Sequence, residues 1–261
     1  MSSQDPAYAQ FRTELAKTQG LDLSVYKETQ LFRRLNSYMQ RHQIGGFGDL
    51  TNYIHSHEKA SHLIDYLDIN VSEFFRNPEL FSYLEQEVLP TFATKQKRVS
   101  VWSAGCSIGA EPYSLTMAIL ETRPALVAAI VATDLDAAAL RQAATGRYSQ
   151  ADVRNVAPER ITRYFDVTPG GVEVKKNAKS MVSFRRHDLL KDPIESGFDL
   201  IVCRNVAIYF TEGAKLLMLR RFATALATGG YLFTGATESY PNHREFGLKR
   251  VHTCFYQKVG D

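Results

Sequence analysis

Cysteine is scarce in this chain, and Cys106, Cys203 and Cys254 are odd in number, scattered and without metal-ligand spacing. That excludes a disulfide framework and a zinc cluster, and it suits a reduced, cytoplasmic setting. No apolar run approaches the roughly 18 residues that a membrane-spanning helix needs. The first ten residues are polar and do not read as a secretory signal. Internal repeats and low-complexity segments are lacking as well. Neither sign of charge dominates: 31 Lys and Arg against 28 Asp and Glu leave +3, too little by itself to imply nucleic acid. What remains is 261 residues with 44% hydrophobic content, enough for one large domain or two unequal ones.

Two further absences shape the reading of the central stretch, Val101-Trp102-Ser103-Ala104-Gly105-Cys106-Ser107-Ile108-Gly109-Ala110-Glu111-Pro112. A buried strand at Val99–Trp102, a glycine turn and a helix over Glu111–Glu121 open a Rossmann-like unit, whose ligands sit above the strand's carboxyl end. The third glycine of a dinucleotide fingerprint is missing, and so is the lysine of a phosphate-binding loop. Glu111 stands where a pyrophosphate needs bare amides. A carboxylate there repels phosphate and favours a cation, such as the amino group or sulfonium of S-adenosylmethionine. Glu111 could equally do no more than complement the helix dipole.

In chain order, residues 1–70 read as helical, with Phe11, Leu15, Leu31, Leu35, Tyr38 and Met39 recurring at three and four. Lys27, Arg34 and Arg41 repeat every seven residues with Arg33 beside them, so one helix face is basic. Such a stripe is either an ordinary solvated face or a docking surface for an acidic partner. Further helices are expected at Phe47–Ser56 and His62–Leu67. In Ile69–Pro78, polar Asn70, Ser72 and Arg76 alternate with Val71, Phe74 and Phe75, a pattern that fits a helix entrance or a segment folded over a cleft. A second buried strand ends at Asp134, 23 positions beyond Glu111, near where Rossmann-like folds place an acid on ribose hydroxyls. Either Asp134 or Asp136 could cap the helix that follows. Strand–helix alternation breaks over residues 146–182, which read as an inserted antiparallel lobe. It resumes with strands at Val182–Phe184 and Phe198–Cys203, the latter followed by the polar pair Arg204-Asn205. Thr211 is expected to cap a helix over Glu212–Ala227 ended by Gly229-Gly230, with closing strands at Tyr231–Thr234 and His252–Gln257.

NVSEFFRNPELF, VWSAGCSIGAEPYSL, ATDLD, FDLIVCRNVAIYF and GGYLFTGATES stand here in the order seen in the bacterial chemotaxis receptor glutamate O-methyltransferases. The chain resembles that family from about residue 10 to its last strand. The resemblance implies a small all-α domain (1–70), a connecting segment (71–90), and an α/β Rossmann-like S-adenosylmethionine-dependent methyltransferase domain (91–261) bearing the inserted β-subdomain. Carried over by position, cofactor contacts fall on Asn70, Ser72, Arg76, Glu111, Asp134, Asp188, Leu189, Asn205 and Val206. The active-site pair falls on Arg76 and Tyr209. Ala110 and Asp188 depart from residues common in the family. The turn Pro169-Gly170-Gly171 is shorter than in members that grip a receptor's C-terminal pentapeptide, which implies a member without that tether.

The implied reaction makes glutamate methyl esters in the helical methylation regions of chemoreceptors, for adaptation in chemotaxis. S-adenosylmethionine is the implied donor, S-adenosylhomocysteine the product, and no metal takes part. Lys27, Arg33, Arg34 and Arg41 are the best basic surface for docking those receptors. A cytoplasmic monomer that binds neither nucleic acid nor membrane is expected; no Asn-Pro-Pro-Tyr-type motif follows the fourth strand, where Arg204-Asn205-Val206 stands instead. The alternatives are a methyltransferase for another substrate and a catalytically silent cofactor-binding signalling module.

Overall fold

The computed structural model describes residues 5–67, 72–93, 98–123 and 127–260. They form two compact units, one of residues 1–70 with Tyr209–Lys215, the other of Val71–Ile208 with Leu216–Asp261.

The first unit contains helices α1 (Pro6–Gln19), α2 (Glu28–Arg41), α3 (Phe47–Tyr53) and α4 (His57–Leu67). The Asp5 carboxylate accepts from the Ala7 N–H at 2.9 Å and starts α1, and Gly20, in the left-handed region, ends it. The expected apolar positions Phe11, Leu15, Leu31, Leu35, Tyr38 and Met39 are all buried. The rings of Tyr8, Phe32 and Phe47 meet at 4.5–5.6 Å and join α1, α2 and α3. Residues Tyr209–Lys215 cluster here through backbone pairing. The Lys27 N–H donates to the Tyr209 carbonyl, and the Thr211 N–H to the Val25 carbonyl, both at 2.8 Å. Between those two bonds Tyr26 and Phe210 face each other as an antiparallel bridge.

The second unit carries strands β1 (Arg98–Ala104), β2 (Val127–Asp134), β3 (Arg147–Tyr148), β4 (Phe165–Thr168), β5 (Gly171–Val174), β6 (Val182–Arg186), β7 (Phe198–Cys203), β8 (Leu226–Thr234), β9 (Leu248–His252) and β10 (Phe255–Lys258). Among the described residues, seven of these form one sheet in the order β6-β2-β1-β7-β8-β10-β9, and three form a second in the order β3-β5-β4. The strands from β6 to β8 are parallel, and β10 and β9 are antiparallel additions. Val99, Val101, Trp102, Ser103 and Ala104 are all buried, so β1 is covered on both faces as a central parallel strand should be. The chain builds outward from β1 through β2 to β6, then returns to lay β7 on the other side of β1. That reversal makes the carboxyl ends of β1 and β7 the place for a ligand. The helices are α5 (Pro78–Tyr83), α6 (Leu89–Ala93), α7 (Ala110–Thr122), α8 (Ala137–Thr145), α9 (Pro158–Tyr164), α10 (Lys176–Lys179) and α11 (Glu212–Ala225).

Three features differ from the expectations, the first being that α4 starts at His57 and not at His62. Gly229-Gly230 does not end a helix: α11 stops at Ala225, and both glycines lie inside β8. The β7–β8 register shifts there, Gly229 has φ +81°, and a Cβ on Gly230 would stand 2.9 Å from the carbonyl oxygens of Ala227 and Phe198. The pair serves a bulge. The closing strand expected at His252–Gln257 is the turn and second arm of the hairpin β9–β10, whose first arm carries exposed Lys249 and Arg250 and so lacks an apolar run.

The small sheet rests on a close backbone approach, since a Cβ on Gly171 would lie 2.0 Å from the Tyr148 carbonyl oxygen. Gly171→Ala should force β3 and β5 apart and cost about 1–3 kcal/mol. Thermal unfolding monitored by circular dichroism checks this; an unchanged midpoint would show that the approach is relieved cheaply.

Candidate active site at the carboxyl ends of the central strands

The turn after β1 begins with two amides, Gly105 N–H and Cys106 N–H, donating to the Thr133 carbonyl at 2.8 and 2.9 Å. Gly105 has φ +83°, and a Cβ there would stand 2.5 Å from Val206 Cγ2. Only glycine lets this turn lie against the loop after β7. Ser107, at φ +48°, donates its backbone N–H to Asp134 Oδ2 at 2.7 Å. Its own hydroxyl oxygen is buried without a hydrogen-bond partner.

Asp134 ends β2 and is not the cap of α8. Asp136 caps it, accepting from Ala138 and Ala139 N–H at 2.7 and 3.0 Å, and donates its own N–H to Asp134 Oδ1 at 3.0 Å. Burial raises the Asp134 pKa against the lowering effect of these amide bonds. Glu111, in the first turn of α7, accepts from Ser103 Oγ at 2.8 Å and lies 3.8 Å from the Arg204 guanidinium. Burial raises its pKa also, opposed by Arg204, by Ser103 and by the nearby charge of Arg76. Two carboxylates thus flank the glycine turn in a half-buried setting.

Arg204 follows β7 and is itself buried. Besides facing Glu111, it donates to the Arg76 carbonyl at 2.7 Å and to Asn77 Oδ1 at 2.9 Å. Its guanidinium lies 4.7 Å from the centre of the Phe233 ring. The segment it holds is unusual, with Phe75 and Asn77 at φ +50° and +58°. The Phe75 N–H donates to Ser114 Oγ of α7 at 3.0 Å. Asn70 lies outside the described residues; Ser72 is half-buried at the start of this segment.

Beyond Arg204, Asn205 takes φ +62°. Glu238 holds the loop: its Oε2 accepts from Asn205 N–H at 3.1 Å and Gly235 N–H at 2.7 Å, its Oε1 from Ala207 N–H at 2.8 Å, and the Ile208 amide adds a further bond. Asp188 follows β6. It accepts from Leu190 N–H at 2.9 Å, faces Lys191 Nζ at 3.7 Å, and donates its backbone N–H to Asp192 at 2.8 Å. The His187 N–H donates to the Asp134 carbonyl at 2.9 Å, which ties this turn and buried Leu189 to the end of β2.

Within the second unit, Arg76, Glu111, Asp134, Asp188, Leu189, Asn205 and Val206 therefore lie on strand ends, a helix start and loops that are tied to one another. Tyr209 belongs to the first unit, half-buried, with its carbonyl bonded to Lys27. The basic stripe of α2 is uneven. Arg33 and Arg41 are exposed and Lys27 is half-buried; Arg34 and Arg41 lie over the Tyr66 ring at 5.3 and 5.4 Å, and Arg34 also donates to the Tyr66 carbonyl. Arg204 and Glu238 are the buried charges bonded to this site that sequence reasoning left without a role. The available signal was a charge shortly after each of two apolar strands, β7 and β8.

Residues 70–254 match the family model of the CheR methyltransferase SAM-binding domain, and residues 6–67 that of the CheR methyltransferase all-alpha domain. The chain belongs to the CheR methyltransferase family. It is 37% identical to the chemotaxis protein methyltransferase of Listeria monocytogenes over 257 residues, covering 97% of each chain. It is 38% identical to chemotaxis protein methyltransferase 1 of Pseudomonas aeruginosa, covering 93% of each, and 34% identical to the Vibrio parahaemolyticus protein, covering 90% of each. The CheR residues found here fit S-adenosylmethionine. Two carboxylates suit its cationic groups and ribose hydroxyls, and the unpartnered Ser107 hydroxyl leaves a polar atom for a ligand to satisfy.

In a CheR fold held this way, Glu238→Gln should turn amide hydrogens toward backbone N–H donors and release the Asn205–Ile208 loop. The expected loss is about 1–3 kcal/mol in affinity for S-adenosylhomocysteine, measured by calorimetry. Unchanged affinity would mean that pairing of β7 with β8 holds the loop unaided.

Proposed function

We propose that the chain transfers the methyl group of S-adenosylmethionine to glutamate side chains in the helical methylation regions of chemoreceptors, forming methyl esters for sensory adaptation. The observation that carries this reading is that Arg204 joins the Arg76 carbonyl, at 2.7 Å, to Glu111, at 3.8 Å, at the reversal point of the sheet. When bound, S-adenosylmethionine supplies an electrophilic methyl on a sulfonium. A glutamate side chain, which ordinarily titrates at about 4.3, is already ionised near neutral pH and needs no general base. Catalysis then rests on orientation and partial desolvation, which can supply roughly 7–11 kcal/mol.

In this reading Arg76 binds one oxygen of the substrate carboxylate. Glu111 lies close enough to feel the Arg76 charge, and in this reading Arg76 orients the nucleophile without quenching it. The Tyr209 hydroxyl fixes the other oxygen, a role that rests on the family resemblance. Glu111 and Asp134 hold the donor's amino group and ribose, and Ser72, Asp188, Leu189, Asn205 and Val206 line its site; Asn70 is assigned there by resemblance alone. Residues 1–70 form the receptor-docking domain, 71–90 the connection and 91–261 the catalytic domain. The enzyme works as a cytoplasmic monomer, without metal, on neither nucleic acid nor membrane.

Incubation with labelled donor and receptor cytoplasmic fragments tests the reading. Base-labile label on glutamates is expected. Alkali-stable label would indicate N- or C-methylation of another substrate, and donor binding without any label would indicate a silent module. Tyr209→Phe should cut turnover by about 10²-fold or less while cofactor affinity stays nearly constant. Wild-type turnover of that variant at saturating receptor would remove Tyr209 from the chemistry.

The receptor encounter should be electrostatic, through Lys27, Arg33, Arg34 and Arg41. Arg34 is committed to the Tyr66 carbonyl, so the informative change is the exposed pair Arg33 and Arg41. Exposed pairs are worth roughly 0–1 kcal/mol each, yet several together steer association. Reversing both to Glu should raise the receptor KM and flatten its salt dependence, leaving cofactor affinity alone. An unchanged KM at low salt would identify the stripe as a solvated face.

A further inference from the structure

The inserted lobe grips the three residues before Arg76 one after another. Glu73 takes the Arg154 guanidinium as an ion pair and lies 3.4 Å from Asn155 Nδ2. Phe74, fully buried, meets the rings of Tyr148 (β3) and Phe165 (β4) at 4.8 and 5.5 Å. Phe75 carries the Arg160 guanidinium of α9 over its ring, 4.1 Å from the centroid. Arg160 is fixed in turn by Glu121 of α7 at 2.8 Å and by Glu85, after α5, at 2.6 Å. Those partners leave the guanidinium plane free to stack. Phe75 sits at φ +50°, a conformation that a bulky residue holds only when its surroundings enforce it. The dihedral at Phe75 sets where the next side chain, Arg76, points.

We propose that the lobe of residues 146–182 is a positioning device for Arg76, with Arg160 as its principal contact and Arg154 as its outer one. This rests on the assignment of Arg76 to the substrate carboxylate. The lobe holds residues 73–75 from one side, and Arg204 holds the Arg76 carbonyl and Asn77 from the other. Ordinary packing would account for buried Phe74. It does not require a partly exposed arginine with two carboxylate partners stacked on the one ring whose backbone is strained.

The test is a double-mutant cycle of Arg160 with Arg76, run beside hydrogen exchange of the peptide covering residues 73–77. Arg160→Ala should lower kcat about ten- to a hundredfold with little change in cofactor Kd, and Arg160→Lys should recover only part of it. In an Arg76→Ala background, Arg160→Ala should add almost nothing, because both act through one group. Exchange in residues 73–77 should accelerate in Arg160→Ala and, less, in Arg154→Ala. Arg147→Ala breaks a lobe ion pair with Glu173 that does not reach this segment, and it should change neither kcat nor exchange. Full additivity in the cycle, or unaltered exchange, overturns the proposal. Should wild-type protein methylate no receptor while exchange still responds to Arg160, the functional reading fails and the brace stands. Turnover insensitive to Arg160 in an active enzyme does the reverse: the functional reading stands and the positioning role falls. Should Arg160→Ala prove too unstable to assay, Arg154→Ala and Arg160→Lys carry both readouts.

Discussion

A buried guanidinium is costly unless partners surround it, and Arg204, whose Nε lacks a hydrogen bond among the described residues, gathers its partners by drawing separate parts of the chain together. It leaves the central strand β7 and meets Glu111 from α7, the carbonyl of Arg76 and the side chain of Asn77. Phe81 and Phe233 close over its faces at 5.5 and 4.7 Å. Burial lowers its pKa and the Glu111 carboxylate raises it. Removing one partner of such a pair costs about 3–5 kcal/mol, because the other charge is left buried alone. The backbone of Arg76 is therefore tied to a fixed point at the sheet's centre.

Much of this was legible in the sequence where local chemistry decides structure. The strand Phe198–Cys203 falls at the expected residues, because an apolar run bounded by polar residues leaves few alternatives. The glycine turn was legible for the same reason. Gly229-Gly230 misled because a diglycine serves a helix stop and a strand bulge equally well, and only pairing with β7 chooses between them. The hairpin β9–β10 was read short since exposed Lys249 and Arg250 mask its first arm.

The site was legible as residue types and not as bonds. Glu111 and Asp134 could be singled out by position, but their partners, Ser103, Arg204 and the Ser107 amide, stand 8, 93 and 27 residues away in sequence. Arg34 shows the limit from the other side. Its spacing from Lys27 and Arg41 puts it on a basic stripe, while its guanidinium is engaged by the Tyr66 carbonyl, a long-range partner that no helical period reveals.

The three acids around the site, one buried and two half-buried, separate by what satisfies them. Glu238 is saturated by backbone amides, so it organises a loop and has little left to offer a ligand. Glu111 and Asp134 each keep unused lone pairs and a partial opening to solvent. Burial raises both pKa values, so the folded chain binds protons more tightly than the unfolded chain does. Their contribution to stability is therefore most favourable below the ordinary carboxylate range and declines as pH rises through the raised values. A cationic ligand reverses that balance, since it favours the charged forms. On the proposed reading the site holds two carboxylates at some cost to the empty fold, and that cost is recovered when a positive donor binds.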